Sequence, residues 1–252
     1  VPELLDAIAL HQKRFYGLDV DARSEVLVTV GATEAILATI LALVQPGDEV
    51  VTFEPYYDSY AASIALAGGV RRTVPLRFPE WSFDEGSLRT AFSDRTRMVL
   101  LNTPHNPTGK VFSRSEIDLI CRFARERGAW VVTDEVYEHL TFDGADHICV
   151  ASLPGMWDHT LTISSAGKTF STTGWKVGWV SARRRRWPPC ARSSSSSPSS
   201  VPDPFSRLSP LVSDSATTCM PVWRRRWSAS ATSSSPGCGP PAFRCRCRRG
   251  PT

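Results

Sequence analysis

The sequence predicts an α/β protein with a mostly parallel seven-stranded sheet covered by helices on both faces, a three-layer α/β/α arrangement. Three observations lead there. Over positions 1–182, short β-branched runs alternate with helical stretches of ten or more residues, the order that crossover-connected parallel strands produce. A hydrophobic content of 42% with 21% charged residues suits a packed globular chain. Residues able to do chemistry recur just after the strand-like runs, and sheets of this kind bind ligands beyond the carboxyl ends of their strands.

The elements follow in order. Leu4, Leu5, Ile8 and Phe15 lie near helical spacing in residues 3–16. The run 25–30 (EVLVTV) is the first strand, and 31–44 (GATEAILATILALV) is a helix with Gly31 at its mouth and Pro46-Gly47 beyond its end. Residues 48–53 form the second strand, 56–69 a helix stopped by Gly68-Gly69, and 70–75 the third strand. Asp84 should cap a helix reaching Phe92. The fourth strand, 96–102, runs into a proline-rich loop. Ser113 with Glu116 makes a capping box for a helix ending at Gly128. The fifth, sixth and seventh strands are 129–134, 159–164 and 176–181.

Composition breaks near Ala182. Residues 1–182 carry a net charge of −7, and 183–252 carry +11, all of its cations arginine. Five of the seven cysteines fall in that tail, at spacings that fit neither a zinc motif nor a disulfide framework. No metal site is read anywhere in the chain. Cys121 and Cys149 read as ordinary buried or half-buried thiols. No apolar run is long enough to span a membrane, and no basic-then-apolar signal opens the chain, so a cytoplasmic location is expected. Val1 stands where an initiator methionine would, so the start reads as that of a fragment.

The stretch 164–179, SSAGKTFSTTGWKVGW, stands out. Small side chains at Ser164, Ser165, Ala166 and Gly167 leave room for a bulky group near Lys168. A second cation, Lys176, favours a neutral Lys168 amine, and a neutral amine attacks aldehydes to form a Schiff base. Gly31-Ala32-Thr33 opens a helix, where free N–H groups suit an anion, although the residues alone favour an unliganded turn. Asp134 ends an apolar strand and could be either a turn former or a buried counter-ion. NTPHNPTGK, 102–110, is by itself a rigid turn, and His105 within it reads as a loop histidine. Arg71-Arg72 and Arg122/Arg125/Arg127 read as solvated faces.

Ser165, Lys168, Gly174, Trp175, Lys176 and Gly178 resemble the lysine segment of class I/II, fold-type I pyridoxal-phosphate aminotransferases. The branch most resembled holds kynurenine/glutamine transaminases and succinyldiaminopimelate aminotransferases. The resemblance implies pyridoxal 5′-phosphate as cofactor and Lys168 as its Schiff-base residue. It implies that Asp134 pairs with the pyridine nitrogen, that Tyr137 and Asn106 bond its O3′, and that Tyr57 stacks on the ring in preference to Tyr56. Gly31, Ala32, Thr33, Ser165 and Lys176 would then hold the phosphate. Catalytic roles go to Lys168, Asp134 and Tyr137. Glu54-Pro55 and Asn106-Pro107 are expected to be cis.

The implied activity moves an amino group from an amino acid to a 2-oxo acid, in a homodimer with no nucleic-acid or membrane partner. A cysteine-conjugate β-lyase would use the same lysine and aspartate. The basic tail leaves a nucleic-acid-binding protein as a third reading. The resemblance covers 1–182, an incomplete large domain. The C-terminal small domain and the arginine that clamps the substrate carboxylate have no counterpart, so this chain is expected to be inactive or to bind cofactor weakly. The tail, 183–252, is read as a disordered or out-of-frame segment.

Overall fold

The structure is a computed structural model that describes residues 2–184. The expected tail therefore lies outside the described residues, apart from Arg183 and Arg184. Arg183 approaches Glu25 and Asp158, and the Arg184 amide donates to Glu25 Oε1.

Helix α1 (Pro2–Tyr16) precedes strand β1 (Val26–Val30) and helix α2 (Gly31–Leu43). Then come β2 (Glu49–Glu54), α3 (Ser59–Leu66), β3 (Val70–Pro75), α4 (Glu85–Ala91) and β4 (Thr96–Asn102). Helix α5 (Arg114–Glu126) and β5 (Trp130–Asp134) lead to β6 (Thr160–Ser165), the short α6 (Ala166–Thr169) and β7 (Val177–Ala182). The local signals act as the sequence requires. The Asp84 side chain accepts the Ser87 amide at the mouth of α4. Both halves of the Ser113–Glu116 capping box form on α5, a device worth about 1 kcal/mol.

The seven strands make one sheet in the order β1-β7-β6-β5-β4-β2-β3. All neighbouring pairs are parallel except β1–β7 and β7–β6. Strand β7 therefore runs against the rest, and its first residues join the carboxyl ends of β1 and β6 at one edge.

The side-chain period of two splits the core. Val50, Met98, Leu100, Val132, Leu161 and Ile163 point to the face covered by α2 and α3. Val51, Val99, Leu101 and Val131 point to the face covered by α4 and α5. Leu4 and Ile8 of α1 cover Val26, Val28, Val177 and Trp179, extending that second face over the β1–β7 edge. The result is three layers, as expected.

Helix α3 begins at Ser59, not 56, because Pro55 and the following residues turn the chain. Arg71 and Arg72 are more engaged than a solvated face. Arg72 and Arg95 both reach the buried Glu49 carboxylate, at 2.9 and 2.8 Å. These guanidinium contacts, chiefly Arg72, hold Glu49 down at about 2. Arg71 lies 4.7 Å over the Tyr56 ring. Both prolyl bonds expected to be cis are cis, and so are Phe78-Pro79 and Thr103-Pro104.

Candidate active site

Asp134 is the last residue of β5, paired in register with Asn102 at the end of β4. Its side chain is 4% exposed. Tyr60, on the buried face of α3, donates its hydroxyl to Asp134 Oδ2 at 2.6 Å. The Val136 amide points at Oδ1 from 3.4 Å. Burial raises the carboxyl to about 6, and the Tyr60 bond and Lys168 draw it back only in part. Desolvation wins because no cation among the described residues forms an ion pair with the carboxylate; a positive group there would reverse the balance. Burial beside Asp134 likewise pushes the Tyr60 phenol well above its ordinary value, so it stays a donor.

Asn102 spans the neighbouring loop. Its Nδ2 donates to the Asp134 carbonyl at 2.8 Å, and its Oδ1 accepts the Asn106 amide at 2.6 Å. One side chain thus fixes the proline-rich loop to the end of β5. His105 is buried beneath that loop with Nδ1 2.8 Å from Thr108 Oγ1. Burial and Lys110 hold its imidazole at about 4. It is a structural loop histidine, as read.

Lys168 lies on the one-turn helix α6 directly after β6, half-buried, with its amine 5.4 Å from the centroid of the Tyr137 ring. Tyr137 follows Asp134 by three residues on the turn that leaves β5. Across the edge, Ser165 pairs with Gly178 and Val30 with Val177. Gly31 takes φ +75°, and Thr29 Oγ1 donates to its carbonyl at 2.9 Å. A Cβ on Gly178 would stand 2.4 Å from the Gly31 carbonyl carbon and 2.6 Å from the Ala32 nitrogen. The start of α2 therefore lies against bare backbone. The Lys176 stem passes beside Gly31 with its backbone left-handed at φ 52°. Helix α2 opens here with first-turn N–H groups that lack carbonyl partners within the helix. Glu34 takes the Val30 amide.

The expected residues thus gather at the carboxyl end of the sheet. Asp134, Lys168 and Tyr137 share one neighbourhood, and Tyr57 joins it through an edge contact with Tyr60 at 5.7 Å. Tyr56 is occupied by Arg71 instead. Gly31, Ala32, Ser165 and Lys176 meet around Gly178, and Thr33 stands exposed in the first turn of α2. Asn106 is half-buried on the adjoining loop and is held by its backbone amide.

Sequence reasoning missed Tyr60 and Asn102. Tyr60 stood in the aromatic run 54–60, three residues after Tyr57 and in the first turn of α3. Asn102 was the final strand residue before the proline loop. No metal site was read from the residues, yet His11, Glu138 and His139 bring ligand atoms within 4.8 Å of one another.

Set against known proteins, residues 1–214 match the family described as aminotransferase class I and II. A probable N-succinyldiaminopimelate aminotransferase (DapC) of Mycobacterium tuberculosis is 52% identical over 177 residues, covering 69% of this chain and 44% of that protein. Kynurenine–oxoglutarate transaminase 3 of Rattus norvegicus is 44% identical over 188 residues, covering 71% and 41%. Among solved structures, that of N-succinyldiaminopimelate aminotransferase from Mycobacterium tuberculosis superposes with a TM-score of 0.70 at 49% identity, covering 72% of this chain and 48% of that one. The methionine aminotransferase YbdL from Escherichia coli matches with a TM-score of 0.70 at 43% identity, covering 73% and 48%. The chain spans less than half the length of these relatives. Class I and II aminotransferases depend on pyridoxal 5′-phosphate. With its sheet, its lysine after β6 and its carboxylate after β5 in the places described, this chain belongs to the class I and II aminotransferase family.

Proposed function

We propose that this chain carries the cofactor-binding half of a transaminase that moves an amino group from an amino acid to a 2-oxo acid. The observation that carries the reading is Asp134: a carboxylate buried at a strand end, given one tyrosine donor and no ion pair among the described residues, with Lys168 near enough to favour its charged form. A buried acid raised to about 6 in this way suits a cationic ring nitrogen better than it suits solvent.

The donor set fits pyridoxal 5′-phosphate. Asp134 would face the pyridine nitrogen, Tyr137 and Asn106 the ring hydroxyl, and Tyr57 the ring face. The amides of Ala32 and Thr33, with Ser165 and Lys176, would face the phosphate. The missing Cβ at Gly178 supports that last placement, because it lets α2 start flush against β7. When bound, the cofactor supplies an electron sink for charge developing at the substrate Cα. The chain's own part is positional and acid–base. Of the two amines between β6 and β7, Lys168 Nζ is the one beside Tyr137 and Asp134, and it serves to hold the cofactor and to carry a proton to and from the substrate Cα. Tyr60 keeps the ionised Asp134 aimed, since its phenol can only donate there. Asn102 holds the loop that presents Asn106.

The family's substrates are an amino acid and a 2-oxo acid. We further propose a homodimer, for which Leu10 and Phe15 on α1, respectively 66% and 52% exposed, supply apolar surface. The test is a half-reaction on the full chain supplied with cofactor: an amino acid is added and release of its 2-oxo acid is followed. Release that is small, because no counterpart of the arginine that clamps the substrate carboxylate is read in this chain, and that is lost in Lys168→Ala, is the expected result. Release of pyruvate from a cysteine conjugate with no added oxo acid would assign β-elimination instead. No release from any amino acid while cofactor remains bound would overturn the proposal for this chain.

A further inference from the structure

On the α1 face of the sheet, below the strand ends, lies a polar cluster the proposed reaction does not use. His11 projects from α1 and His139 from the turn after β5, and their Nε2 atoms stand 2.7 Å apart although 128 residues separate them. Beside them is Glu138, 4% exposed. Its Oε1 accepts the Ser164 hydroxyl at 2.5 Å and its Oε2 accepts the Tyr16 hydroxyl. These partners are hydroxyls, so Glu138 is a buried carboxylate held by neutral donors. His11 Nδ1 is buried without a hydrogen-bond partner among the described residues. One ligand atom from each of His11, Glu138 and His139 falls within a 4.8 Å span.

We propose that His11, Glu138 and His139 form a binding site for one divalent cation of the zinc type. The chemistry of the donors selects the class. Two imidazole nitrogens and one carboxylate oxygen suit a borderline cation such as Zn²⁺ and leave a fourth tetrahedral position for water. Two nitrogens on such a cation stand roughly 3.3 Å apart, given metal–nitrogen bonds of about 2.0–2.1 Å. Binding therefore asks the two rings to part by about 0.6 Å, replacing one shared proton with two coordinate bonds. His139 is half-buried on a turn, which leaves it room to move. Glu138 must also close in, because bonds of about 2.0–2.1 Å cannot bridge the present 4.8 Å span; its ionised carboxylate keeps lone-pair directions free for this beyond the two that Tyr16 and Ser164 take. Those hydroxyls would orient it, as outer partners of metal ligands do. The cation would also set a full positive charge against the buried carboxylate. It would clamp α1 to the turn bearing Tyr137, one residue from Glu138, and to Ser164, one residue from Ser165.

The experiment uses the full chain, freed of any purification tag and stripped with a chelator. Titration with Co²⁺ should give the visible bands of a four-coordinate ion, saturating at one equivalent, and Zn²⁺ should displace it. Zn²⁺ in excess should raise the Tm by several degrees, because it binds only the folded chain. His11→Gln and His139→Gln should each weaken binding at least tenfold, whereas His147→Gln, which alters a histidine paired to Glu135 at 2.8 Å, should not. Cobalt held instead by tail cysteines would show near-ultraviolet sulfur charge-transfer bands and survive both substitutions, and that result would overturn the proposal. Should a variant misfold, the unaltered chain still decides. Of its five histidines, two must shift in the side-chain nitrogen NMR spectrum when Zn²⁺ is added, and no shift and no Tm change would end the idea.

Discussion

Asp134 is a carboxylate kept in an expensive place. Burial raises its proton affinity to about 6, against an ordinary value near 3.9. A shift of about two units is worth about 3 kcal/mol. The sign follows from linkage. The folded chain holds this proton more tightly than the unfolded chain, so the associated stability is present below about pH 4 and is lost as pH rises through about 6. In the cofactor-free chain, Asp134→Asn should therefore raise stability by about 2–3 kcal/mol at pH 7.5 and by little at pH 4, measured by denaturant melts. The same substitution should weaken cofactor binding sharply, and a variant that loses stability at pH 7.5 would contradict the assignment. Cofactor affinity of the unaltered chain should fall as pH drops through about 6. Tyr60→Phe removes one hydrogen bond to a charged group, about 1.5–3 kcal/mol, so affinity should drop roughly 10- to 100-fold and the midpoint of that pH profile should move upward. The place of Asp134 at a strand end was legible from the apolar run before it, but its pairing role came only from the resemblance. Tyr60 was not legible, because a tyrosine on an apolar helix face looks like core until the sheet beneath it is known.

The edge formed by β1, β7 and β6 shapes the anion end of the cleft. Its order rests on an antiparallel β7, which brings Gly178 under the first residues of α2. Gly178→Ala would drive a methyl group into backbone atoms that no side chain can yield. It should cost about 3 kcal/mol or more, which at this size is a Tm loss of roughly 6–12 °C. Gly174→Ala should change the Tm by no more than a degree or two, since nothing lies within 4 Å of the new methyl. Equal effects from both glycines would show that the close approach is wrong. Most elements were readable to within a residue or two, because Asp84, Ser113 and Pro46-Gly47 act locally, but the helix expected over 56–69 is only Ser59–Leu66. Strand direction was less so. Periodicity carries no direction, and only the short link from Ser165 to Val177 signalled that β7 must turn back rather than cross over.

At the scale of the molecule, the two faces of the sheet are packed independently of the cofactor, by α2 and α3 on one side and α1, α4 and α5 on the other. The described residues hold three clusters of buried apolar side chains, so the fold does not wait for the ligand. Cofactor binding should add to it by mass action: at 100 times its Kd, about 2.7 kcal/mol, or a Tm increase of roughly 5–11 °C. Lys168→Ala should forfeit most of that increase while keeping the cofactor-free Tm. What residues 185–252 contribute was open to compositional argument alone, and they lie outside the described structure. No helix among the described residues is long and apolar enough to cross a membrane.

The central claim is that one lysine, at the end of β6, holds the cofactor. The chain has four lysines, at positions 13, 110, 168 and 176, so the claim can be put directly. The full chain is mixed with one equivalent of pyridoxal 5′-phosphate, reduced with borohydride, digested and mapped by mass spectrometry. The account predicts a single stoichiometric adduct on Lys168, reduced severalfold by Asp134→Asn. An adduct on Lys176 instead, or one spread over all four lysines and indifferent to Asp134, would contradict it.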